Sequence, residues 1–154
     1  MIWLICTGTV FALVVGVAVF LSPRFNPKLY RRLLFNPQPY SAQDYKNKPV
    51  AGVTPTDVYF RTKSGLKIHG WYFHVEGASQ AVLLSHGNAG NVTQWAPLTC
   101  FAIKNGMSCL VYDYRGYGLS EGLPTPRGIC EDGLAAFDYL NNVQGFSADN
   151  IILF

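Results

Sequence analysis

The 154 residues carry 12 Lys and Arg against 9 Asp and Glu, a formal charge of +3, which leaves room for one modest domain. Four of the cations, Arg24, Lys28, Arg31 and Arg32, are crowded into one short segment, and everything after Arg32 sums to −1. That distribution excludes a nucleic-acid-binding domain, which would need its basic patch on the folded body. Cys6, Cys100, Cys109 and Cys130 form no C-x-x-C pair and have no metal-ligand spacing with His69, His74 or His86. Reduced, buried thiols are the default reading, with a Cys100–Cys109 bridge left open for an oxidising compartment.

Ile2–Leu21 is a stretch of twenty residues without a charged side chain. At ~1.5 Å per residue, a helix of that length matches the ~30 Å hydrocarbon core of a bilayer. The expectation is an uncleaved transmembrane anchor, with a cleaved signal peptide and a buried core helix as the competing readings. No positive n-region precedes the stretch and no clear small-residue cleavage site closes it. The cations all follow it, so the positive-inside rule places the C-terminal side in the cytoplasm. Leu29, Tyr30, Leu33, Leu34 and Phe35 interleave with these cations, as suits a short segment lying on anionic lipid.

From Asn36 to Pro55 the prolines Pro37, Pro39, Pro49 and Pro55 block regular helix and predict an extended linker. Val58–Phe60 and Ile68–Phe73 flank the turn signal Lys63-Ser64-Gly65 and read as a β-hairpin. Ala81–Ser85 is a continuous apolar run, as expected of a strand buried on both faces. His86-Gly87-Asn88-Ala89-Gly90-Asn91 then breaks the strand. Two glycines there permit positive φ and a close backbone approach, so that neighbouring N–H groups could converge on a negative oxygen. A tight strand-to-helix connection with no ligand explains the same residues. A phosphate loop does not, because neither the Walker spacing with its lysine nor G-x-G-x-x-G is present.

Trp95, Leu98, Ala102 and Ile103 recur at helical spacing up to Asn105-Gly106. Ser108–Tyr112 predicts the next strand. Thr125-Pro126 predicts a capped helix start, with Ile129, Gly133, Leu134, Phe137 and Leu140 as its apolar stripe. Ile151–Phe154 predicts a further strand. This is an α/β order with a parallel sheet and right-handed crossovers.

The second loop of interest, Asp113-Tyr-Arg115-Gly116-Tyr-Gly118-Leu-Ser120, also lies at the carboxyl end of a strand, where open α/β sheets bind ligands. His86-Gly87 after the third strand, followed one strand later by D-x-R-G-x-G-x-S, resembles the α/β-hydrolase fold. The continuation Asn88-Ala-Gly90-Asn91 resembles the Bem46-like membrane-anchored serine hydrolases, over about Thr56 to Phe154. The resemblance implies the N-terminal half of an α/β-hydrolase sheet, an antiparallel hairpin followed by parallel strands with crossover helices, behind one transmembrane helix. It implies an oxyanion loop at His86, Gly87, Asn88 and Ala89, with the backbone of Asn88 as the first donor and Ala89 as the next. His86 would shape that loop. Asp113, Arg115, Gly116, Gly118 and Ser120 would brace the second one.

Gly118-Leu-Ser120-Glu-Gly122 matches the nucleophile-elbow pattern G-x-S-x-G, but it lies within a loop and not between a strand and an immediately following helix. In the resembled hydrolases the elbow follows the strand that Ile151–Phe154 would form, with the acid and histidine later still. The expectation is therefore that no nucleophile, acid or base lies in this chain, that it is inactive alone, and that its last strand is an unprotected, poorly folding edge. A non-catalytic anchored scaffold, or one half of a split enzyme completed by a C-terminal polypeptide, is the alternative. The expected division is residues 1–22 anchor, 23–55 juxtamembrane segment and linker, and 56–154 partial hydrolase domain. The substrate of the complete form would be a small acyl compound, and no cofactor or metal is implied.

Overall fold

The structure, a computed structural model, describes residues 2–22, 24–38 and 48–154, with the side chains of 2–7 outside that description. The Cys6 side chain and the linker residues 39–47, Pro39 among them, therefore lie outside that description. Contacts divide the chain into two units, Met1–Asn36 and Pro37–Phe154.

The first unit is helical. α1 runs Ile2–Leu21 and α2 runs Pro27–Leu34. Among the described residues, no helix is long and apolar enough to cross a membrane. The anchor expected over Ile2–Leu21 therefore has no support among the described residues. α2 is started by Asn26, whose side chain accepts from the Leu29 N–H at 3.3 Å, and by Pro27 in the first turn. Arg31 and Arg32 in its last turn oppose the negative end of the helix dipole.

The second unit is built on a five-stranded mixed sheet. β1 (Thr56–Arg61) and β2 (Lys67–Phe73) form the expected antiparallel hairpin. The other strands are β3 (Ala81–Ser85), β4 (Ser108–Tyr112) and β5 (Ile151–Leu153). The order is β1-β2-β4-β3-β5, with β2 antiparallel to β4 and with β3 parallel to both β4 and β5. β3 and β4 are central, which is why both read as uninterrupted apolar runs.

Period-2 alternation gives the sheet two cores. Leu83, Leu110 and Tyr112 face one side with Ile68, Tyr72, Ala135, Ala136 and Leu140. Val82, Leu84, Cys109 and Val111 face the other with Trp71, Phe73, Val92, Ala102 and Ile103. Burial pushes the Cys109 thiol up to about 12, so it stays protonated as a small apolar side chain.

Two expectations about the crossovers need correction. The single helix expected up to Asn105 is broken into α3 (Val92–Trp95), a 3₁₀ turn (Ala96–Thr99) and α4 (Cys100–Lys104). Pro97 lacks an N–H for the interior ladder, and the tighter turn swings Leu98 out to 47% exposure. α5 (Pro126–Asp138) does begin at Thr125, whose hydroxyl accepts from the Gly128 N–H at 3.0 Å. Its buried face, however, is Gly128, Asp132, Ala135 and Ala136, continued by Leu140 in the wide turn Tyr139–Val143. Leu134 is 66% exposed. The helix is rotated because a buried ion pair at Asp132 takes the position that a hydropathy pattern gives to apolar residues. β5 lies at a sheet edge, with Leu153 and Phe154 exposed.

Candidate functional site

β3 and β4 are hydrogen-bonded neighbours in the same direction, so the loops leaving their carboxyl ends emerge side by side. The sequence separates His86 from Asp113 by a whole crossover, and the parallel register brings them together. His86 Nε2 lies 3.7 Å from Asp113 Oδ1, with both side chains fully buried.

The His86–Asn91 turn is held through its carbonyl oxygens. Tyr114 Oη donates to the His86 carbonyl at 2.8 Å, and His86 Nδ1 donates to the Gly87 carbonyl at 2.6 Å. Tyr117 Oη donates to the Asn88 carbonyl at 2.7 Å, and Trp95 Nε1 to the Ala89 carbonyl at 2.9 Å. Four successive carbonyls are thus fixed by four side chains. A trans peptide sets each N–H opposite its neighbour's C=O, so these bonds aim the N–H groups of Gly87, Asn88 and Ala89 the other way.

The His86 ring packs on Tyr114 at 4.5 Å, Tyr117 at 5.4 Å and Trp95 at 6.0 Å between centroids. Its Nε2 is the one buried side-chain nitrogen or oxygen without a hydrogen-bond partner among the described residues. Because Nδ1 must carry a proton to donate to a carbonyl, Nε2 is a lone pair whenever the ring is neutral. Burial lowers the His86 pKa from its ordinary value, opposed by the Gly87 carbonyl and the Asp113 carboxylate. Gly90 takes the expected positive φ, at +84°, whereas Gly87 does not. Gly87 is required for space instead, since a Cβ there would sit 3.0 Å from the Trp95 ring.

The Asp113–Ser120 loop is held by charge. Asp113 Oδ1 accepts from the Val92 N–H at 2.9 Å, and Asp113 Oδ2 lies 3.3 Å from His69 Nδ1. Arg115 binds Asp132 through Nε at 3.0 Å and Nη2 at 2.8 Å, and its own N–H donates to Asp132 Oδ2 at 2.9 Å. The Asp132 carboxylate holds the Arg115 pKa above its ordinary value, and Arg115 Nη2 also reaches Glu131 at 3.0 Å. Gly116 and Gly118 both have positive φ, and a side chain on Gly118 would collide with the Asp113 carboxylate.

Ser120 Oγ donates to the Asp113 carbonyl at 2.7 Å and accepts from the His69 N–H at 2.9 Å. Its hydroxyl is spent on closing the loop, and no helix follows it directly. Sequence reasoning set His69 aside as a metal ligand and gave no role to Asp57, Tyr114, Tyr117 or Asp132. Of these only Asp132 left a usable trace, as a carboxylate one position off the expected apolar stripe. No group of three or more His, Cys, Asp or Glu arranged to hold a metal occurs among the described residues.

The order β1-β2-β4-β3-β5 with β2 reversed, helices on both faces and two loops at the carboxyl ends can be compared with solved structures. An esterase of Pyrococcus furiosus superposes with a TM-score of 0.63 at 25% identity, over 78% of this chain and 46% of the esterase. The α/β hydrolase GrgF of Penicillium gives 0.59 at 27% identity, over 66% of this chain and 37% of GrgF. The fold is that of the α/β-hydrolases.

No family model matches the chain. Curated relatives include the uncharacterized protein YfhR of Salmonella typhimurium, 32% identical over 71% of this chain and 40% of YfhR. The α/β-hydrolase domain-containing protein WAV2 of Arabidopsis thaliana is 30% identical over 64% of this chain and 33% of WAV2. An uncharacterized membrane protein of Saccharomyces cerevisiae is 27% identical over 80% of this chain and 44% of the yeast protein. The chain spans under half the length of each of these three relatives.

Proposed function

We propose that this chain supplies the N-terminal part of a membrane-anchored serine hydrolase that cleaves an ester, thioester or amide bond, with the His86–Asn91 turn as half of its oxyanion hole. The observation that carries the reading is the pinning of four consecutive carbonyls, His86 to Ala89, by Tyr114, His86, Tyr117 and Trp95. Donors held rigid before the reaction need no reorganisation as charge develops, which is where an oxyanion hole gains its effect. The Asn88 N–H is the first donor and the Ala89 N–H the second. Asp113, Arg115, Gly116, Gly118 and Ser120 keep the neighbouring loop in place and do no chemistry themselves.

The nucleophile, acid and base of the complete enzyme come from outside these 154 residues, so the chain alone polarises a carbonyl without forming an acyl-enzyme. An apolar groove of about 540 Å³ beside the β5 edge, lined by Leu83, Leu134, Phe137, Leu153 and Phe154, suits the polypeptide that would complete the fold. The anchor belongs to the same proposal. α1 has no charged residue along Ile2–Leu21, cations follow it, and a yeast relative is named a membrane protein. These features support a single-pass helix with the α/β unit in the cytoplasm.

The test is fluorophosphonate labelling of the chain joined to its continuation. Labelling of the joined form, with none of the 154 residues alone, is the expected result. Absence of labelling in the joined form removes the serine-hydrolase assignment.

A further inference from the structure

His69 lies fully buried in the middle of β2, between two carboxylates from different parts of the chain. Its Nε2 is 2.8 Å from Asp57 Oδ1 on β1, and its Nδ1 is 3.3 Å from Asp113 Oδ2 past the end of β4. An ionised carboxylate only accepts, so both contacts are satisfied together by a ring that carries a proton on each nitrogen. The main chain of the same residue is tied to the same loop. The Asp113 N–H donates to the His69 carbonyl at 2.9 Å, and the His69 N–H donates to Ser120 Oγ.

Asp113 is the far end of this arrangement, and its carboxylate touches both ends of the His86–Asn91 turn. Oδ1 accepts from the Val92 N–H, where the turn enters α3, and lies 3.7 Å from His86 Nε2, where the turn begins. A carboxylate with no exposure is costly to bury unless paired, and it can hold the Val92 N–H only if its own orientation is fixed. The geometry points to His69 as a positioning residue: a doubly protonated imidazole clamped by Asp57 that fixes Asp113 and, through its bond to the Val92 N–H, the far end of the His86–Asn91 turn. The importance of the clamp for catalysis rests on the proposed reading of that turn as an oxyanion loop. The clamp itself does not.

The other groups around His69 are compatible with this state. The Tyr59 ring packs on the imidazole at 5.1 Å, with Lys67 Nζ 4.2 Å from the Tyr59 ring centroid on its exposed flank. Ser120 contributes only its hydroxyl. His86 is neutral when its burial prevails, so it places no second positive charge beside Asp113. Trp71 Nε1 donates to Asp57 Oδ1 at 3.0 Å, which fixes the outer carboxylate in turn.

The experiment is NMR of the whole chain in detergent micelles with 15N-labelled histidine, at about pH 6, near the ordinary histidine range. The expected spectrum has two ring N–H signals for His69 and one, from Nδ1, for His86. Asp57→Asn keeps an oxygen for Trp71 and removes the charge. It should cost His69 one ring proton, shift the Asn88 and Val92 amides, and speed exchange at Val92 by about tenfold, the equivalent of one ordinary hydrogen bond. Asp57→Glu, which restores the charge, should restore the two-proton ring.

A single ring N–H for His69 in the unaltered chain overturns the proposal, as do unmoved Asn88 and Val92 amides in Asp57→Asn. His69→Gln should produce the same amide shifts, and if that variant fails to fold, Asp57→Asn decides the matter. None of these readings requires hydrolysis, so failure of the fluorophosphonate test leaves them unchanged and the two proposals fail separately.

Discussion

The two loops leaving β3 and β4 are neighbours, yet they are held by opposite means. The Asp113–Ser120 loop is fixed by ionic groups: Arg115 against Asp132 and Glu131, and Asp113 against His69 and the Val92 N–H. The His86–Asn91 turn is fixed by aromatic side chains that reach its carbonyls, and it keeps one buried nitrogen unpartnered. Charge is strong but imposes its own pairing, so it suits a part that stays put. Aromatic donors fix the carbonyl side of the turn without placing a charge in it. Under the proposed function, the ionic loop is the fixture and the aromatic turn is the working part.

That comparison is broken most severely at Asp132. Asp132→Ala strands the Arg115 guanidinium without its buried partner and should cost about 3–5 kcal/mol, read as a lower urea midpoint. A cost near zero would mean that the loop does not depend on its charges. Gly118→Ala should come next, at about 2 kcal/mol or more. A left-handed φ of +47° and a collision with Asp113 are both imposed on a side chain that can avoid neither.

On the aromatic side the effects should be smaller in stability and larger in function. Tyr117→Phe deletes the donor to the Asn88 carbonyl while preserving the ring packing on His86. Its expected cost is about 1 kcal/mol of stability, with a clear loss of fluorophosphonate labelling in the joined form. Equal labelling of the two proteins would separate the turn from the reaction.

The smallest effect expected is a pH dependence. The unfolded chain takes up a proton on His86 near the ordinary value of 6.5, while the buried ring resists until the pH is lower. Its contribution is therefore fully present above about 6.5, is lost as the pH falls through the depressed native value, and is constant below that. Between about pH 7.5 and 5, the stability of the unaltered chain relative to His86→Asn, read from urea midpoints, should decline as the pH falls.

Much of the fold was legible because it is local. The hairpin around Gly65, the apolar runs of β3 and β4 and the Thr125-Pro126 helix start are each written in adjacent residues, and each occurs where the pattern puts it. The helix after the turn and the buried face of α5 were misread. One proline and one buried aspartate outweighed an otherwise regular spacing of apolar residues. At the site, His86, Gly87, Asp113, Arg115 and Gly118 could be singled out from composition at strand ends. Their roles could not. Nothing near Gly87 announces that its hydrogen is needed to admit Trp95, and nothing near Tyr117 announces a bond to Asn88, twenty-nine positions away.

The sequence by itself determined the order of strands and helices, the two loops at strand ends, and the segregation of positive charge behind an apolar N-terminal stretch. These follow from side-chain periodicity, turn chemistry and hydropathy, which act over a few residues at a time. Only the tertiary structure decided that Asp57, His69, Asp113 and His86 lie together as one row of groups, half-buried at Asp57 and buried beyond it. The reason is that β2 pairs with β4 and β4 with β3, so residues from three distant segments meet where the sheet, and no local rule, brings their side chains together.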